Sequence, residues 1–182
     1  MASASETASS FAMAPELTRP LALVGGAAAS LAAALQFDAS GRTVVAVFFI
    51  SVLAVLSAID VEERRIPNRI VLPAAAVMLA LQIALEPGRA LEWTVGALGA
   101  GALMLVLARL NPAGLGLGDV KLALLLGAAL GGAVLAALAL GSLLAGLFGV
   151  ALVIRHGLPA RHATVPFAPF LAVGAAAVLL AS

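Results

Sequence analysis

Nine acidic residues occur in the chain, and only Asp38, Asp60 and Asp119 are aspartates. Asp60 closes an apolar run, in Ser57-Ala58-Ile59-Asp60-Val61-Glu62-Glu63-Arg64-Arg65-Ile66-Pro67-Asn68. Asp119 follows a glycine-rich break and opens another run, in Gly114-Leu115-Gly116-Leu117-Gly118-Asp119-Val120-Lys121-Leu122. Two carboxyl groups facing one cavity cannot both ionise easily, so they hold one proton between them. The ionised member can take a proton from an attacking water while the protonated member donates to a carbonyl oxygen. Such a pair titrates as a unit, and neither role belongs to one residue. Asp38 reads as a solvated loop residue.

Plainer roles exist for each of these residues. Asp119 could serve only as the N-cap of the helix it opens. Asp60 could be an interfacial charge paired with Arg64, four residues on. Lys121 reads equally as an interfacial anchor, and Glu62 and Glu63 as a solvated loop face. Residue types alone leave these alternatives open.

The elements that must position the aspartates are membrane helices. Of the 182 residues, 63% are hydrophobic and 10% charged, against roughly half and a quarter in soluble domains. Lipid must cover most of this surface. The net charge of +1 argues against a nucleic-acid partner. The absence of cysteine excludes disulfides, thiol catalysis and cysteine-bound zinc. His156 and His162 lie among arginines with no carboxylate nearby, so no metal site and no cofactor are expected. Residues 1–18, rich in alanine, serine and threonine, read as a flexible N-terminal tail, and residues 19–182 as one transmembrane domain.

Within that domain, apolar runs cover Leu21–Phe37, Thr43–Ile59, Ile70–Leu85, Trp93–Leu110, Val120–Ile154 and Val165–Ala181. The expected fold class is therefore all-α, a polytopic membrane helix bundle. The 35 residues of Val120–Ile154 would extend ~52 Å as one helix, against a hydrocarbon core of ~30 Å. Gly131-Gly132 is the expected turn, which makes seven spans, or six if the run is unbroken. Seven spans with the Asp60–Arg69 loop in the cytoplasm put eight cations inside and two, Arg42 and Arg89, outside, whereas six spans give six against four. The positive-inside rule favours seven. A helix from Val120 to Gly131 covers only ~18 Å, so Asn111–Gly118 must enter the membrane as irregular backbone. Such backbone lines protein or a watered cavity, and a carboxylate there is a candidate functional group. Gly127 with Gly131, and Ser142 with Gly146, show the small-xxx-small spacing of close helix packing.

At these residues the sequence resembles the prepilin peptidases, the aspartyl leader peptidases of type IV pili. The shared pattern is Asp60 followed by Ile66-Pro67-Asn68, then Gly116-Leu117-Gly118-Asp119 with Lys121-Leu122, then Pro166-Phe167-Ala168-Pro169-Phe170. The resemblance covers about Thr43 to Leu180. It implies a GxGD-type intramembrane aspartyl protease with Asp60 and Asp119 catalytic. Ile66, Pro67, Asn68, Gly116, Gly118 and Lys121 would support the site. It also implies a prepilin partner with a short basic leader, cut after a glycine at the cytoplasmic face of the bacterial inner membrane. Glu62 and Glu63 could then attract the leader. Larger members carry a four-cysteine zinc cluster and methylate the new N-terminus. This cysteine-free chain looks like the compact type associated with Flp (tight-adherence) pili, and methyltransferase activity is not expected. The rival class is a non-enzymatic proton-coupled transporter or pilus-assembly subunit using the same carboxylates.

Overall fold

The computed structural model describes residues 41–112, 114–157 and 165–181. The expected tail, the run Leu21–Phe37, Arg19, Asp38, Arg161 and His162 lie outside the described residues. Six α-helices are present among those described: α1 (Gly41–Glu63), α2 (Asn68–Leu85), α3 (Ala90–Leu110), α4 (Leu117–Leu130), α5 (Val134–His156) and α6 (Ala168–Ala181). Short 3-10 turns at Pro87–Arg89 and Gly131–Ala133 lead into α3 and α5.

The helical stretches Gly41–Glu63, Asn68–Leu85, Pro87–Leu110 and Leu117–His156 are each long and apolar enough to cross a membrane, and α6 is shorter. Large apolar side chains such as Leu91, Leu98, Leu110, Leu143, Leu147 and Ile154 face outwards. Water would not tolerate so apolar an exterior over a whole helix bundle. The protein is an integral membrane protein.

The fourth stretch is broken where the sequence analysis put its turn. Gly131 ends α4 with φ 54 and ψ −126, a conformation that disfavours residues with a Cβ. Trp93 packs onto it, because a Cβ at Gly131 would lie 2.8 Å from the indole ring. Gly127 lies against the backbone of Gly96, so α3 and α4 approach closely through small residues. The second expected pair behaves differently. Gly146 faces open space, and the close contact between α5 and α6 runs instead through Gly141 and Gly174. Which glycine faces a neighbour depends on helix rotation, and the spacing alone did not reveal it.

One continuous core joins all six helices, with Phe49, Leu56, Met78, Leu122, Leu125, Leu126 and Leu171 fully enclosed. The Gln82 side chain crosses from α2 and donates to the Ala129 carbonyl of α4 at 2.7 Å.

At one end of the bundle, charged residues close the loop between α2 and α3. Arg42 meets Glu86 at 2.7 Å, and Arg89 reaches Glu86 at 2.9 Å and Glu92 at 2.8 Å. The Arg89 guanidinium also lies 4.5 Å from the Trp93 ring centroid. The hydrogen bond from Arg89, then that from Arg42, holds the Glu86 carboxyl below the usual carboxylate range.

Candidate active site

Asp60 lies in the last turn of α1 and is buried, with 7% of its surface exposed. Its Oδ2 accepts a hydrogen bond from the Ala168 amide at 3.0 Å. Ala168 is the first residue of α6, and helix-opening amides have no partner within their own helix. The positive end of the helix also favours a carboxylate there. Asp60 is therefore more than a surface charge: its carboxylate engages an amide 108 residues away, and Arg64, the partner that the spacing offered, contributes its charge nearby. The sequence placed the last apolar run from Val165, but not what the Ala168 amide would meet.

Asp119 is the third residue of α4, not its N-cap. Gly116 occupies the N-cap position, with φ −90 and ψ 157. The Asp119 carboxylate reaches back to accept from the Gly116 amide at 3.0 Å, and the Asp119 amide donates to the Gly116 carbonyl at 3.1 Å. This local loop is a capping-box arrangement in which the third helical residue satisfies the N-cap amide. Leu117 and Gly118 are already helical, so the irregular connection stops at Gly116 and is shorter than the Asn111–Gly118 expected.

The two aspartates line the same cavity, of about 310 Å³, together with Arg64, Arg65, Ile66, Gly116, Leu117 and Gly118. Two carboxyl groups at one cavity can deprotonate a water and protonate a carbonyl oxygen in one step.

The supporting residues divide. Ile66 is buried, and a Cβ on Gly118 would stand 3.1 Å from the Ile66 Cβ, so Gly118 permits the loop after α1 to close on α4. Gly116 has no such demand: an added Cβ would be 3.6 Å from its nearest neighbour, ordinary contact. Pro67 precedes α2 in extended conformation, and its carbonyl accepts from the Ile70 and Val71 amides at 3.0 and 3.1 Å. Asn68 opens α2, and its Oδ1 accepts from Lys121 Nζ at 2.6 Å. Lys121 is therefore a tie between α2 and α4. Arg64 and Arg65, which were not expected at the site, also line the cavity. Glu62 and Glu63 are exposed at the end of α1. His156 ends α5, its ring nitrogen 3.2 Å from the Leu152 carbonyl. No cluster of potential metal ligands occurs among the described residues.

A polytopic helical membrane protein with a carboxylate pair at one cavity is the class that this fold and site define. The chain belongs to the type IV leader peptidase family, which it matches over residues 47–154. It is also 36% identical over 147 residues to the prepilin leader peptidase/N-methyltransferase of Bacillus subtilis (strain 168). That alignment covers 79% of this chain and 58% of the relative, so the chain spans a little over half the length of the curated relative it matches. No solved structure matches the chain.

Proposed function

We propose that this protein is an aspartyl endopeptidase that removes the leader from type IV-like prepilins, of the Flp type, at the cytoplasmic face of the inner membrane. Asp60 and Asp119 are its catalytic residues. The observation that carries this reading is their meeting at one cavity from α1 and α4, in a chain of the leader peptidase family.

Water enters between the carboxyl groups. The ionised aspartate accepts its proton as the oxygen adds to the peptide carbonyl, while the protonated partner donates to the developing oxyanion. Collapse of the tetrahedral intermediate breaks the C–N bond, the amine leaves with a proton, and the pair returns to its one-proton state. No metal or cofactor is needed for these steps. Of the GxGD glycines, Gly118 serves the packing of α4 against the loop after α1. Seven spans are supported by the charge distribution and by the break at Gly131. That arrangement puts the N-terminus and both aspartates on the cytoplasmic side, where a basic leader would remain. The proposal is confined to hydrolysis.

Incubation of the full chain in lipid with an Flp-type prepilin tests it by mass spectrometry. The expected product begins at the residue after a glycine, immediately before the pilin's apolar helix. Asp60→Asn and Asp119→Asn should each abolish the product while the protein still inserts. Normal cleavage by either variant would remove the dyad, and would favour a proton-coupled or assembly role for the same carboxylates.

A further inference from the structure

Arg64 is the only non-glycine residue with a positive φ, 51°, among the described residues. Its amide donates to the Asp60 carbonyl at 2.9 Å, ending α1 in a left-handed cap. Glycine usually fills that position, and the other positive-φ residues, which end α4 and α5, are Gly131 and Gly157. With 18 glycines in the chain, an arginine at the third such end stands out. Strained backbone tends to persist where the side chain serves a site. Here Arg64 lines the cavity shared by Asp60 and Asp119. A guanidinium has five N–H donors and no acceptor, so a ligand it meets there must offer oxygen acceptors. A polypeptide drawn into the cavity offers backbone carbonyls, and the planar fork suits them.

We propose that Arg64 is a substrate-binding residue of the aspartate site. Its guanidinium donates to backbone carbonyls of the incoming polypeptide and so holds the scissile bond against Asp60 and Asp119. One residue then both reverses the chain directly after the Asp60 turn and places a donor on the cavity wall. A glycine would satisfy only the first requirement. This assignment rests on the peptidase reading and goes further by naming what grips the substrate.

The test compares the full-length wild type with Arg64→Gly and Arg64→Lys in lipid, measuring thermal unfolding and the KM and kcat of prepilin cleavage. Arg64→Gly should unfold at an equal or higher temperature, because it relieves the backbone. It should also raise KM by about tenfold or more with kcat within about threefold. Arg64→Lys, which keeps the charge without the fork, should lie between the two. An unchanged KM in Arg64→Gly overturns the proposal, and so does a lowered unfolding temperature with activity lost in proportion. Cleavage by none of the three, wild type included, removes the peptidase reading and this proposal with it. Failure of Arg64 alone leaves the wild type active.

Discussion

At the Glu86 end of the bundle each carboxylate meets a guanidinium, whereas at the Asp60 end the carboxylates turn to backbone amides and a cavity. Glu86 and Glu92 sit 2.7–2.9 Å from Arg42 and Arg89. Asp60 accepts from the Ala168 amide, and Asp119 from that of Gly116. The two arrangements suit different work. A fixed guanidinium favours the ionised carboxylate throughout, which secures a loop but removes the group from proton exchange. An amide orients a carboxylate without contributing a full counter-charge, and the Arg64 charge acts on Asp60 beside that amide rather than in its place. Two such groups at one cavity keep a proton available to move.

The sharpest way to break this contrast is to neutralise one carboxylate at each end. Asp60→Asn or Asp119→Asn should lower prepilin cleavage by at least about a thousandfold. Glu92→Gln should leave it within about twofold, because it touches nothing at the cavity. An equal loss at both ends, in a gel-based cleavage assay, would show that the distinction is not about catalysis.

The next effect separates two neighbouring glycines. Gly118→Ala must displace Ile66 by a few tenths of an ångström and shift the loop after α1 against α4, which should slow cleavage by about tenfold. Gly116→Ala should remain near wild type, since its Cβ has room and its amide still binds Asp119. Equal activities in kcat measurements would show that the packing of Ile66 does not position the pair.

A smaller loss is expected from the tie between α2 and α4. Lys121→Met and Asn68→Ala should each slow cleavage several-fold, and the double variant should be no worse than either single one, because both remove the same bond. Full additivity in a double-mutant cycle would mean that the two side chains act separately.

The smallest effect belongs to the ion-paired end. Glu86→Gln should reduce thermal stability slightly at low salt, and the difference should shrink as salt rises. The wild type should lose the same increment in acid. The Glu86 pKa is depressed in the folded protein, so its contribution is present above the unfolded pKa and disappears as pH falls through the folded one. A stability difference that persists in acid would show that Glu86 acts through packing.

Much of the design was legible before any coordinates. Composition required lipid as solvent, and the length of Val120–Ile154 required a break. Gly131-Gly132 was the place where a break is least costly, since paired glycines form poor helix and good turn. Asp60 and Asp119 stood out because charged side chains are rare in so apolar a chain. These are local properties, carried by residue type and spacing. The partners were not legible in the same way. That Asp60 would meet the Ala168 amide, that Gly141 and not Gly146 would touch α6, and that Arg64 and Arg65 would line the cavity all depend on how helices rotate and cross. Asp119, which could have been only an N-cap, is the third residue of its helix, because the turn begins at Gly116. The sequence alone determined which groups could do chemistry and that membrane helices would carry them. Only the tertiary structure decided that α1 and α4 bring the two aspartates to one cavity, since that contact arises from packing between segments far apart in the chain.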